Sequence, residues 1–333
     1  MKILIVSGFL GAGKTTFIKE LIRRSGVQPV ILENEYGENN LDARALEQSL
    51  PEQKDMKILE FMEGCVCCTM KDSFVNSVLT IFSGLNPEYL VIEPTGVGRL
   101  SSIMENLRPI LHDNIRLLQP VVVLSPRTYR ANLAEFPALY GDQIAHAGTV
   151  VFSKCEQEDA AFLSDTAACI RRLNPRGAIV SEHYRRMPDS WWRSLLDLPA
   201  EIPDAALTPA ESERFHQLSF HGVDLHHPAA LVTLLEDCLR GAFGNVVRAK
   251  GVLSAGGEML RFDLADRQYA VTGSPEDTNQ VVFIGTELDR DSLCRRLDAF
   301  PADENMDLFP PPRLPSQNKP LSGKRLRYPA DRA

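Results

Sequence analysis

The sequence predicts an α/β fold: a doubly wound, mostly parallel sheet in the first half, followed by a smaller α+β domain. Three observations carry this. Apolar runs in the first half lack the polar alternation of a half-exposed strand, so they are buried on both faces, as in a parallel sheet covered by helices. Segments with helical spacing lie between most of those runs, the alternation of a doubly wound domain. The chain has 333 residues, about twice the ~150 of a typical domain, which favours two domains.

In chain order, Lys2–Ser7 is a continuous apolar strand ending in a glycine loop, and Thr16–Arg24 has helical spacing through Phe17, Leu21 and Ile22. Further strands are expected at Pro29–Leu32, Tyr89–Ile92, Leu117–Leu124, Thr149–Phe152 and Ala178–Val180, with helices at Met70–Ser83, Leu100–Leu111 and Asp159–Leu173. From Met187 to Glu213 four prolines and two adjacent tryptophans break the pattern, which reads as a linker with a short helix. The second half then gives a strand at Gln217–Phe220, a helix over Pro228–Arg240, strands at Val246–Leu253, Met259–Leu264, Gln268–Thr272 and Gln280–Ile284, and a helix over Asp289–Ala299. The domain boundaries expected are 1–186, a linker 187–213, 214–302, and a tail 303–333 that is rich in proline and basic residues and reads as disordered.

Lysine and arginine number 36 against 44 aspartates and glutamates, a net charge of −8. Sequence-independent nucleic-acid binding depends on basic residues neutralising phosphates, so this balance argues against it. No apolar run reaches the ~18 residues of a membrane span, and the short apolar N-terminus lacks a signal-peptide cleavage pattern, so the expected location is cytoplasmic.

Gly8-Phe9-Leu10-Gly11-Ala12-Gly13-Lys14-Thr15 fits the phosphate-loop pattern G-x-x-x-x-G-K-[ST] at every fixed position, after a strand and before a helix. The glycines let backbone N–H groups turn inward around phosphate oxygens, where the N-terminal end of the helix adds positive potential. Gly8, Gly11, Ala12, Gly13 and Thr16 therefore belong to the expected cradle. Lys14 would reach the β and γ phosphates and the Thr15 hydroxyl would ligate Mg²⁺. After the third strand, Ile92-Glu93-Pro94-Thr95-Gly96 places an acid at a Walker-B or switch position able to hold Mg²⁺, with Gly96 free to turn its N–H toward a γ-phosphate. No glutamine stands where a water-orienting residue is expected, so basal hydrolysis should be slow.

The base of a guanine nucleotide is read by N-K-x-D after a late strand, and here that place carries Ser153-Lys154-Cys155-Glu156. Lys154 can stack its stem on a purine and Glu156 can accept from guanine N1–H, but the first position has lost its amide. The alternative is a plain strand end before a polar helix start.

Cys65, Cys67 and Cys68 fall within Glu63-Gly64-Cys65-Val66-Cys67-Cys68-Thr69. Seven cysteines placed at random would give a C-x-C-C cluster about 0.003 times. Three thiolates supply a soft face for Zn²⁺, Co²⁺ or Cu(I), yet they cannot close a tetrahedral site alone, so an open or transferable site fits better than a structural clip. Redox thiols and buried packing are the other readings. In Glu33-Asn34-Glu35-Tyr36-Gly37-Glu38, Glu35 and Glu38 are candidate metal contacts at the carboxyl edge of the sheet, set against an ordinary solvated acidic loop.

In the order GFLGAGKTT, ENEYGE, GCVCC, IEPTG and SKCE, these motifs resemble the CobW-like GTPases, P-loop metallochaperones related to the hydrogenase and urease nickel-insertion GTPases. The resemblance covers about residues 1–180, and VVRAKGVL and VVFIGTELD are similar in outline to the family's C-terminal domain. It implies a GTP- and Mg²⁺-dependent NTPase with Lys14 and Glu93 in catalysis and Ser153, Lys154 and Glu156 at the base. It further implies that Cys65, Cys67 and Cys68 carry Zn²⁺ or Co²⁺ to a client metalloenzyme, with a homodimer among the possible assemblies. The chain departs from the family at Leu124-Ser125-Pro126, where an aspartate is usual, and in having only His221, His226 and His227 in place of a long histidine run. A nucleotide-driven activator of a corrinoid or metalloenzyme, and a nucleotide-independent metal store or redox regulator, are the competing functions.

Overall fold

The computed structural model describes residues 1–35, 58–62, 70–200, 215–275, 278–299, 301 and 306–307. The first domain is a sheet of parallel strands: β1 (Lys2–Ser7), β2 (Val30–Glu35), β3 (Ile58–Met62), β4 (Tyr89–Glu93), β5 (Arg116–Leu117), β6 (Val121–Leu124), β7 (Thr149–Phe152) and β8 (Ala178–His183). Their order is β3-β2-β4-β1-β6-β7-β8, with β5 also paired to β1. Strand β1 is therefore central, flanked by β4 and β6, and the phosphate loop leaves its carboxyl end where the strand order changes direction. Ligands of open α/β sheets bind at such a switch point.

The helices of this domain are α1 (Lys14–Ser25), α2 (Met70–Leu85), α3 (Leu100–Leu107), α4 (Tyr129–Glu135), α5 (Pro137–Ala145), α6 (Ala160–Leu173) and α7 (Asp189–Ser194). Successive residues of β1 supply the two faces: Ile3 and Ile5 pack with Phe74, Met104 and Ile144 on one side, Leu4 and Val6 with Phe17 and Leu21 on the other. Both faces are buried, which is why these strands read as unbroken apolar runs.

Several sequence expectations change. Leu117–Leu124 is two strands, because Pro120 has no N–H to give a ladder. Leu100–Leu111 is a helix to Leu107 followed by a 3₁₀ turn through Arg108–Ile110 that contains Pro109. Strand β3 was not expected; it is five residues long with Glu60 at its centre, too short to show a period. The stretch beginning at Met187 holds the expected short helix as α7, and where it is described it packs into the core. Trp192 in α7 is fully buried with its ring centroid 5.0 Å from Phe17 and 5.8 Å from Tyr184, and Leu195 and Leu196 are buried beside it. Residues 201–214 and 308–333 lie outside the described residues.

The second domain holds β9 (His216–His221), β10 (Asp224–Leu225), α8 (Pro228–Leu239), β11 (Asn245–Ala255), β12 (Glu258–Ala265), β13 (Gln268–Gly273), β14 (Gln280–Thr286), α9 (Arg290–Leu297) and β15 (Met306–Asp307). Its sheet runs β13-β12-β11-β14-β9-β15, antiparallel along that path, with β10 parallel to β11. The period of two sorts its side chains. Ala249, Leu253, Phe262, Leu264, Val281 and Phe283 pack with Leu231, Leu234 and Leu293 of the helices. The opposite face carries Arg248, Lys250, Arg261 and Asp263 together with Val282 and Ile284, and these last two join the core of the first domain with Phe215. The ring centroids of Phe215 and Phe136 are 5.3 Å apart. Among the described residues no helix is long and apolar enough to cross a membrane.

Candidate functional site

The phosphate loop folds as its glycines allow. At Gly96, after β4, a Cβ would lie 2.4 Å from the backbone nitrogen of Leu10, so only glycine lets this loop approach the phosphate loop so closely. The same holds at Gly11 (φ +72°), where a Cβ would lie 2.5 Å from Ala265 Cβ of the second domain. Lys14 is buried, and its ammonium donates to the carbonyl oxygens of Gly8 (3.2 Å) and Phe9 (3.4 Å) at the head of the loop. Helix α1 begins at Lys14, with Gly13 as its cap at φ 92°.

Thr15 Oγ1 donates to the Glu93 carboxylate, 2.9 Å from Oε1 and 3.1 Å from Oε2. A hydroxyl and a carboxylate side by side at the start of α1 are hard oxygen donors of the kind Mg²⁺ takes, so these residues fit the ion the motif implies. Glu33 is buried on β2 in register with Glu93 on β4, which sets two carboxylates at one level of the sheet. The loop carrying Gly96 is held from behind by the buried Gln143, whose amide donates to the carbonyls of Gly96 (3.2 Å) and Gly98 (2.9 Å). Nothing in the sequence around Gln143 signals that contact, because its partner lies 47 residues earlier.

At the expected base-reading segment the three residues behave differently. Ser153 is buried and its hydroxyl lies 2.7 Å from the Ala12 carbonyl oxygen and 3.2 Å from that of Leu124, so it ties the phosphate loop to the sheet. Lys154, with φ 52°, lines the cavity over the loop, and its ammonium is 3.2 Å from Asp266 of the second domain. Glu156 meets His183, Oε1 to Nε2 at 3.0 Å. Burial holds the His183 imidazole below its ordinary value, partly offset by Glu156, so it is neutral near pH 7. Its Nδ1 accepts from Arg185 N–H (3.2 Å), which leaves Nε2 to carry the proton and donate to Glu156. The carboxylate expected to read a base is thus already engaged. Burial pushes the neighbouring Cys155 thiol up to about 11, which makes it a packing residue rather than a nucleophile.

The cavity over the loop measures about 390 Å³, within the range of small-molecule sites. Gly11, Gly13, Lys14, Thr15, Thr16 and Glu93 form its floor. Its other wall comes from the second domain, chiefly Arg248, Asp263 and Gln268, and no phosphate-loop motif signals these. Lys250, on the same face of β11 as Arg248, is buried, and burial brings its ammonium down to about 8 against the opposing pull of Asp263 and Glu33. The hairpin joining β12 and β13 turns through Asp266 and Arg267, both at positive φ (57° and 58°). That is the conformation of a two-residue primed turn.

Cys65, Cys67, Cys68 and Glu38 lie outside the described residues, as does the side chain of Glu35 at the end of β2. Among the described residues no group of three or more His, Cys, Asp or Glu side chains gathers to hold a metal. His227 instead caps α8, its Nδ1 accepting from Ala229 N–H at 3.1 Å, while His221 and His226 are exposed.

Compared with known proteins, residues 2–181 match the family model described as CobW/HypB/UreG, nucleotide-binding domain, and residues 215–300 match that of the cobalamin synthesis protein cobW C-terminal domain. A zinc-regulated GTPase metalloprotein activator 1 from Schizosaccharomyces pombe is 27% identical over 203 residues, 60% of this chain and 49% of that protein. The zinc chaperone CobW of Pseudomonas aeruginosa is 25% identical over 345 residues, 89% of this chain and 90% of that protein. The zinc chaperone YeiR of Escherichia coli is 30% identical over 221 residues, 64% and 62% of the two chains. The chain thus spans about half the length of the first of these relatives and nearly all of the second.

Proposed function

The chain belongs to the CobW/HypB/UreG family, and on that premise we propose that it is a GTP-hydrolysing metallochaperone that delivers a transition metal, zinc or cobalt, to a client metalloenzyme. The observation that carries the reading is the Thr15–Glu93 contact on the floor of the cavity, a hard-oxygen pair beside a complete phosphate loop. Lys14 would move from the Gly8 and Phe9 carbonyls to the β and γ phosphates, exchanging two uncharged acceptors for anionic ones. Thr15 and Glu93 would hold Mg²⁺, which when bound neutralises charge growing on the β and γ oxygens. Gly96 would offer its N–H to the γ-phosphate, with Gln143 fixing the loop that carries it. Lys154 would leave Asp266 to stack on the base, and Glu156 would leave His183 to accept from it. The names of the relatives favour zinc over cobalt as cargo.

Cys65, Cys67 and Cys68 are the proposed cargo ligands, with Glu35, Glu38, water or the client completing the set. Each cysteine must ionise to ligate, so uptake of Zn²⁺ or Co²⁺ releases protons. If bound GTP draws in the fourth ligand, metal affinity rises with GTP and falls with GDP, and by linkage GTP affinity rises by the same factor with metal. A coupling of about 1–3 kcal/mol, roughly 5- to 150-fold, is the expected size. Co²⁺ titration followed by thiolate charge-transfer absorption, with GTP·Mg²⁺, GDP or ATP present, measures it. Doubly substituted Cys67→Ser, Cys68→Ser protein should lose metal binding and coupling but keep GTP. Equal metal affinity with GTP and GDP would rule out nucleotide-gated delivery, and equal affinities for GTP and ATP would remove SKCE as a base reader.

A further inference from the structure

The second domain turns a charged sheet face toward the phosphate loop. On β11 and β12, Arg248 stands opposite Ala265 and Lys250 opposite Asp263. Ala265 packs against the loop at Gly11, so the antiparallel register puts Arg248 one strand away from a residue touching the loop. Arg248 lines the cavity with Lys14, Thr15, Thr16 and Glu93. Asp263 pairs with its guanidinium, Nη2 to Oδ2 at 3.5 Å, and only 16% of the side chain is exposed. A cation is thus aimed from one domain over the phosphate-binding floor of the other.

Two other basic residues share that face, and the geometry separates them from Arg248. Lys250 is 4% exposed, does not line the cavity, and has Glu33 and Lys14 as its charged neighbours on the first domain. Arg261 stands opposite Val252, four pairs along from Ala265, and is not part of the cavity wall. Arg248 alone of the three borders the space above Thr15 and Glu93. An arginine keeps its charge at any working pH, and its planar fork matches two phosphate oxygens at once.

We propose that Arg248 is a catalytic residue of nucleotide hydrolysis, supplied in cis by the second domain to the β–γ phosphate linkage. The inference rests on the GTPase reading above. As the water oxygen bonds to the γ-phosphorus, the bond from that phosphorus to the β–γ bridging oxygen breaks, and its electron pair stays on the diphosphate. The water protons pass to the released phosphate and to solvent. Arg248 donates N–H groups to the bridging and γ oxygens as negative charge shifts among them, which lowers the barrier most where that charge is greatest. Hydrolysis then depends on the second domain's sheet keeping its place on the loop.

The test uses the full-length protein as wild type, Arg248→Ala, Arg248→Lys and Lys14→Ala. GTP turnover is measured beside the affinity for a fluorescent non-hydrolysable GTP analogue. Arg248→Ala should lower kcat by at least about tenfold, toward the roughly 10³- to 10⁵-fold that an arginine finger contributes in other GTPases. Its affinity for the analogue should stay within about threefold, because the lost contact is made mainly in the transition state. GDP with aluminium fluoride, which mimics the transferring phosphoryl group, should bind wild type and fail to bind Arg248→Ala. Should the alanine variant misfold, Arg248→Lys decides: a loss of at least about tenfold in kcat with retained analogue binding supports the role, and wild-type turnover overturns it. A kcat for Arg248→Ala within about threefold of wild type, or a fall matched by an equal loss of analogue affinity, would also overturn it. If wild type turns over, Lys14→Ala does not, and Arg248→Ala is normal, only the Arg248 role fails. If wild type itself shows no turnover, the GTPase reading fails and the role of Arg248 with it.

Discussion

Lys250 is a single residue whose surroundings make a measurable claim. Burial lowers its ammonium to about 8, from an ordinary value near 10.5. Between those values the unfolded chain binds one more proton than the native one, so stability rises with pH from about 8 to 10.5 and is flat in this respect below 8. Going from pH 7.5 to 9.5, wild type should therefore gain about 2 kcal/mol of unfolding free energy over Lys250→Met, which has no proton to lose. Urea denaturation of the two proteins at both pH values reads the difference, and parallel behaviour would mean that Lys250 titrates as an exposed lysine does. The sequence shows Lys250 only as a polar residue in an apolar strand. Its environment comes from Asp263, thirteen residues on, and from Glu33 and Lys14 in the other domain.

At the scale of an element, α7 shows how a segment that reads as a linker can belong to a core. Its prolines and polar flanks are real breaks in periodicity, but Trp192 reaches back onto Phe17 of α1. With Tyr184, Leu195 and Leu196 it covers the face of the sheet that Leu4 and Val6 present. Trp192→Ala would leave a cavity under α1 and should cost about 3–5 kcal/mol, seen as a lower denaturant midpoint. A change under about 1 kcal/mol would mean that α7 is a detachable strap. The same scale explains Ser153. The sequence places it where a base-reading amide is usual, and the fold gives its hydroxyl to Ala12 and Leu124 instead, because the end of β7 passes directly behind the phosphate loop.

For the whole molecule, the consequential feature is that the second domain walls the cavity over the phosphate loop of the first. Asp266, at the tip of its hairpin, engages the Lys154 ammonium, and Asn245 Nδ2 donates to Glu135 at 2.6 Å further along the contact. A nucleotide that uses Lys154 must draw it away from Asp266 and tolerate that carboxylate close to Lys154. Asp266→Ala should therefore tighten GTP binding, by no more than about fivefold because the pair is partly solvated. Isothermal titration of both proteins with a non-hydrolysable GTP analogue measures this. Unchanged or weaker binding in the variant would show that the pair does not compete with nucleotide.

The sequence by itself determined the two-domain α/β plan, the phosphate loop with Lys14 and Thr15, and the acid at Glu93, because each depends on neighbours close in the chain: a strand, a glycine turn and a helix start. Apolar runs buried on both faces revealed the parallel strands for the same local reason. Only the tertiary structure decided that Thr15 meets Glu93, 78 residues away, that Gln143 supports Gly96, and that His183 holds Glu156. It also decided that Arg248 and Asp263 line the cavity over the phosphate loop, with Lys250 buried on the same face of the sheet. An alternating strand states that one face is polar, but not what that face will meet, and here it meets the phosphate loop of another domain because Val282, Ile284 and Phe215 on the same side bury themselves in that domain's core.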